Sequence, residues 1–155
     1  MGRQSFVSSA YTVYDAAKLI FISTRCWHFD YEKYSVKIGG FPLSSELTTY
    51  VCKGVTFPKE AAWHVTGFEP IIDVTRVVHH ILVFKCVDQM PEEWFECNPM
   101  PSNCQNTVAV WAVGGNSFEH PPEAGEKIGR GTDALFGAIQ MHYDNFYHEE
   151  GIVDK

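Results

Sequence analysis

The chain has no apolar run approaching the roughly 20 residues that a membrane-spanning helix needs. The longest near the start is Leu19-Ile20-Phe21-Ile22, bounded by Lys18 and Arg25. Residues 1–25 also lack the basic start, long apolar stretch and small cut-site residues of a secretory leader, so no signal peptide is read here. No cluster of Lys or Arg occurs, and the net charge is −7, which argues against nucleic acid or an anionic membrane surface as the partner. No Cys-x-x-Cys pair is present, which argues against a zinc ribbon or a thioredoxin-type centre. Gly-x-Ser-x-Gly, His-Glu-x-x-His and a Gly-rich phosphate loop are missing too, and with them the hydrolases and nucleotide enzymes they mark. Helical periodicity is almost absent; only residues 14–22 have the spacing for two helical turns.

What remains is β-rich. At 155 residues and 45% hydrophobic, the chain suffices for one domain with a real core. Short runs at 34–38, 48–53, 62–69, 75–87, 107–113 and 134–142 read as strands, separated by Gly-, Pro- and Asn-containing turns such as Asn98-Pro99-Met100-Pro101 and Gly114-Gly115-Asn116. Many short strands without helix alternation predict an all-β fold, a jelly-roll-like antiparallel β-sandwich. Residues 1–31 lack this rhythm and read as an N-terminal extension or linker, leaving 32–155 as the domain. The chain stops at Gly151-Ile152-Val153-Asp154-Lys155 without an obvious closing strand, so the sandwich is expected to lack its last strand or strands.

Five cysteines stand at 26, 52, 86, 97 and 104. Two disulfides with Cys26 left over is the simplest reading and implies an oxidising compartment; five reduced, buried thiols in a cytosolic protein is the other.

Seven histidines are present, and the informative pair is His79-His80 within Val77-Val78-His79-His80-Ile81-Leu82-Val83-Phe84. Two imidazoles in so apolar a strand need partners, and a metal supplies one. Successive strand side chains point to opposite faces, so a regular strand aims the pair apart. Either a bulge or strand end brings them together, or one ring coordinates through Nδ1, or one histidine is a core residue and its neighbour faces solvent. His142, in Gln140-Met141-His142-Tyr143, ends another candidate strand. Three imidazoles with open positions would suit copper or zinc rather than calcium or magnesium.

Four blocks in order resemble the copper type II, ascorbate-dependent monooxygenases. They are Thr48-Thr49-Tyr50-Val51-Cys52; Phe68-Glu69-Pro70 with Val78-His79-His80-Ile81-Leu82-Val83-Phe84-Lys85-Cys86; Val110-Trp111-Ala112-Val113-Gly114-Gly115 with Pro122-Glu123-Ala124-Gly125; and Gln140-Met141-His142-Tyr143. The third block favours the dopamine-type branch over the peptide-amidating one. The resemblance implies a first copper domain that relays electrons from ascorbate, its single copper held by His79, His80 and His142. It places Gln140 and Tyr50 close to that site, orienting ligands or tuning the metal. It pairs Cys52 with Cys97 and Cys86 with Cys104, and it implies a secreted or secretory-vesicle setting. Cys26 is then expected free or mispaired. His64, His120 and His148 match no motif and read as surface or loop histidines.

Two departures stand out. Ile81 occupies a position where the family usually has Met, a soft sulfur for Cu(I). Asp144 replaces the second His of the dopamine-type His-Tyr-His-Asn stretch. The family's second copper domain, where O2 is activated and a small organic substrate hydroxylated, is expected to be absent from this chain. That domain, copper and ascorbate are the partners implied. The alternatives are a stand-alone secreted copper-binding or redox module without hydroxylase activity, and a structural sandwich that has lost its metal.

Overall fold

The computed structural model describes residues 18–25, 28–121 and 123–155. Among them every regular element is a β-strand, and every strand pair is antiparallel. One sheet contains β1 (Lys18–Arg25), β2 (His28–Lys37), β5 (Ala62–Ile71), β9 (Phe118–Glu119) and β10 (Glu126–Gly129). The other runs in the order β7 (Phe95–Glu96), β4 (Thr48–Thr56), β11 (Phe136–Asp144), β6 (Val78–Cys86), β8 (Asn106–Ala112). Val36, Trp63, Val65, Phe68 and Ile128 of the first sheet share one core with Val51, Ile81, Val83, Trp111 and Ile139 of the second. The fold is therefore all-β and sandwich-like, as the strand–turn rhythm predicts. Among the described residues no helix is long and apolar enough to cross a membrane.

Alternation on β11 explains its central place. Ile139, Met141 and Tyr143 enter the inter-sheet core. Ala138, on the outer face, packs with Phe84, Cys86, Met90 and Cys104 in a second cluster. A strand buried on both faces needs a cover on each. The outer cover is the segment joining β6 to β8, tied down by Cys52–Cys97 and Cys86–Cys104, with sequence separations of 45 and 18 residues. Gly54 permits its close approach: a Cβ there would collide with the Met90 backbone carbonyl, and the Gly54 N–H donates to Pro91 O at 2.6 Å.

Two expectations need correction. Lys18–Arg25 is a strand, so the helical spacing over 14–22 does not yield a helix from residue 18 onward; residues 14–17 lie outside the described residues. The segment 1–31 is also not wholly an extension, since β1 pairs with both β2 and β5 and β2 begins at His28. Leu19, Ile20, Phe21 and Ile22 satisfy strand and helix patterns alike in so short a run, and pairing on both edges of β1 decides for the strand. Cys26 lies outside the described residues.

At the C-terminal end β12 (Val153–Asp154) pairs with β3 (Phe41–Pro42). Asp154, fully buried, accepts a 2.6 Å hydrogen bond from the Tyr143 hydroxyl. Burial, then the Asp154 charge, raise the Tyr143 pKa far above its ordinary value, so the phenol remains a donor. This anchors the end of β11, one residue past His142.

Candidate metal centre

The candidate ligands meet on the outer face of the second sheet. His80 and His142 are directly opposed on β6 and β11, and Tyr50 opposes His142 from β4. The next pair along β6 and β11 is Val78 with Tyr143, so one residue of β6, His79, has no partner across the ladder. That is a β-bulge. The Val113 N–H donates to the His79 carbonyl at 2.9 Å, tying the bulge to the end of β8. A bulge places two successive side chains on one face, which resolves the objection that neighbouring strand residues diverge.

Three imidazoles converge there. His80 Nδ1 lies 3.4 Å from His79 Nδ1 and 3.3 Å from His142 Nδ1, and one ligand atom from each ring falls within a 4.8 Å span. Two nitrogens bound to one metal at about 2.0–2.1 Å in tetrahedral geometry stand about 3.3–3.4 Å apart. The donor set therefore fits a transition-metal ion. A proton on one Nδ1 can serve only one contact, whereas a cation draws all three lone pairs.

Electrostatics favours the same state. Burial, then the His80 and His79 charges, push the His142 pKa down to about 4, with Asp144 opposing. Burial also lowers His80, opposed by Gln140 and aided by His79. The Nε2 atoms of both rings are buried without a hydrogen-bond partner, and burial outweighs the Gln140 and Asp144 contributions that favour an imidazolium. Neutral imidazole is the metal-binding form. His79 is the solvent-exposed member of the three.

The neighbours are held as firmly. The Tyr50 ring lies parallel to that of His142, centroids 4.1 Å apart at 7°. Gln140, buried one turn of the pleat behind His142, donates through Nε2 to Cys97 O at 3.0 Å. The Cys52–Cys97 bridge and the centre thus share a scaffold, and both disulfide pairings implied by the resemblance are formed. Ile81 is fully buried in the inter-sheet core, on the face opposite the imidazoles, so the lack of Met there removes no ligand from this cluster. His64 lies on β5, His120 follows β9, and His148 sits in the loop after β11 with Nδ1 2.7 Å from Ser45 O; none joins the group. Sequence reasoning missed Val113 and the Cys97 carbonyl as supports, because Val113 acts through its backbone N–H and Cys97 through its backbone carbonyl, which no side-chain pattern reports.

Comparison with known proteins agrees with this geometry. Residues 34–150 match the family described as copper type II ascorbate-dependent monooxygenase, N-terminal domain. The chain is 36% identical over 126 residues to DBH-like monooxygenase protein 1 of Gallus gallus, covering 74% of this chain and 20% of that protein. Its counterpart in Homo sapiens is 33% identical over 146 residues, 86% of this chain and 23% of the relative. Human dopamine beta-hydroxylase is 29% identical over 131 residues, 77% and 21% respectively. The chain spans about a fifth of the length of these relatives. With the match covering most of the sandwich and all three converging histidines, the chain belongs to the copper type II ascorbate-dependent monooxygenase family, an oxidoreductase family, and corresponds to its N-terminal domain.

Proposed function

We propose that this chain carries the electron-relay domain of an ascorbate- and O2-dependent copper monooxygenase. One copper ion would be held by His79, His80 and His142. The convergence of three imidazoles, with His80 Nδ1 3.4 Å from His79 Nδ1 and 3.3 Å from His142 Nδ1, carries this reading. Copper bound there supplies one-electron redox chemistry, and the protein's part is to present lone pairs rather than protons. Tyr50 holds the plane of His142, and Gln140 braces the strand beside it. Exposed His79 is where a water-soluble reductant such as ascorbate would approach.

Hydroxylation needs a second copper site that activates O2, and we assign it to a domain outside these 155 residues. The substrate class is a small organic molecule of the dopamine type rather than a peptide, on the strength of the Trp111-Ala112-Val113-Gly114-Gly115 block and of relatives named dopamine beta-hydroxylase and tyramine beta-hydroxylase. The two disulfides suit a secreted or secretory-vesicle setting. A stand-alone copper-binding or redox module is the second reading, favoured by a ligand set complete within one sheet.

Titration with Cu(II) and Zn(II), followed by electron paramagnetic resonance and metal analysis, tests the assignment. The wild type should take up a single equivalent of copper that ascorbate reduces, and His142→Ala should lose that tight site. Unchanged stoichiometry and affinity in His142→Ala would refute the ligand set. Phenethylamine turnover by this chain alone would refute the division of labour.

A further inference from the structure

The end of β8 folds back on itself directly beside the bulge. Ala112 is paired with His80, and the next residue, Val113, donates its N–H to the His79 carbonyl at 2.9 Å. The chain then turns, and the Gly115 N–H returns to the Ala112 carbonyl at 2.8 Å. Gly114, third of the four turn residues, has a φ of +85°, which a type II turn requires at that place and which L side chains avoid. Trp111 clasps the turn from the core side. Its ring is buried between the sheets, and its indole N–H donates to the Gly115 carbonyl at 2.9 Å. A buried indole N–H needs an acceptor, so burial of the ring and closure of the turn support each other. Gly115 allows the approach: a Cβ there would stand 2.9 Å from the Ala112 carbonyl oxygen and 3.3 Å from the indole.

We infer that Trp111 and Gly114 are positioning residues for His79, an inference that rests on the three-histidine centre proposed above. His80 and His142 need no such help, because they oppose each other in the ladder of β6 and β11. His79 is the residue that this ladder skips, and its carbonyl is held from the other side by Val113. Val113 is the second residue of the clasped turn, so closure of the turn sets where its N–H points. An opened turn withdraws that donor and frees the bulge, whose extra residue no longer has to share a face with its neighbour. Copper would then keep His80 and His142 and lose His79. The clasp thus acts on one ligand of the three.

Competition for Cu(II) against a chelator of known affinity tests this, with pulsed electron paramagnetic resonance of the loaded protein and hydrogen exchange of the Val113 amide in the metal-free one. A Cβ at position 114 meets no atom within 4 Å, so Gly114→Ala acts through backbone conformation. It should weaken Cu(II) binding about tenfold, take the coordinated imidazoles from three to two, and release the Val113 amide to exchange. Gly114→Asn, which tolerates positive φ, should restore most of all three. Trp111→Phe keeps a ring in the core without the N–H and should shift each readout as Gly114→Ala does; if it does not fold, the two Gly114 variants decide. His79→Ala is the reference, and adding Gly114→Ala to it should cost no further affinity. Wild-type copper binding in Gly114→Ala while His79→Ala is weakened overturns the inference alone. So does a Gly114→Asn as weak as Gly114→Ala, or losses that add in the double variant. Wild-type binding in His79→Ala refutes the ligand set itself, and the inference with it.

Discussion

Tyr50 and His142 lie face to face, 4.1 Å apart and within 7° of parallel, directly opposed across β4 and β11. The contact fixes the imidazole carried by the central strand of its sheet. Tyr50→Ala should weaken copper binding by about tenfold, the low end of what loss of a ligand-orienting neighbour costs. Tyr50→Phe, which keeps the ring, should bind almost as the wild type does. Competition titration against a chelator of known affinity measures both, and equal loss in the two variants would show that the hydroxyl rather than the stack matters.

Gln140 is buried and bonded to the Cys97 carbonyl. Gln140→Leu leaves that acceptor without its donor and should lower stability by about 1–3 kcal/mol. Urea denaturation of the metal-free protein reads the change. A loss near zero would mean that the loop re-pairs the carbonyl elsewhere.

The bridges differ in the length of chain they close. Cys52–Cys97 spans 45 residues and Cys86–Cys104 spans 18. By chain entropy their removal should cost about 4 and about 3 kcal/mol respectively. Paired Cys→Ser variants compared by denaturant unfolding under non-reducing conditions should keep that order. The reverse order would point to packing of Cys86 and Cys104 in the outer cluster as the larger contribution.

The depressed pKa values of His142 and His80 make stability depend on pH in the metal-free protein. An unfolded histidine takes up its proton near 6.5, whereas folded His142 does so only at about 4. Between those values the unfolded chain binds more protons, so this contribution is intact above 6.5 and is lost as pH falls toward 4. Urea midpoints across that window should fall less steeply for His142→Gln than for wild type. Identical slopes would show that the ring gains its proton in the folded state as readily as in solution.

Much of this centre was legible before the fold was known. The strand at 48–53 became β4, that at 107–113 became β8, and the histidine triplet followed from ordered blocks that include both. The N-terminal strand was not legible, because Leu19-Ile20-Phe21-Ile22 carries too few residues to separate a period of two from one of 3.6. Ile81 stands where the family usually has Met, and only the pairing of β6 with β11 shows it facing away from the imidazoles. The brief C-terminal pairing of Val153–Asp154 rests on a buried Tyr143–Asp154 bond between residues eleven apart, which no local pattern announces.

The bulge at His79 has an origin in the opposite face of the sheet. Val78 and Ile81 both enter the inter-sheet core, although an odd spacing of three separates them in a strand whose period is two. That phase mismatch turns the two intervening residues outward together, and they are the histidines. The oily interior thus dictates the spacing of a polar cluster it never touches. Substitutions at Val78, whose side chain lies in the inter-sheet core rather than with the imidazoles, become levers on copper affinity: a side chain content in water would let the strand regain its regular phase and part the imidazoles.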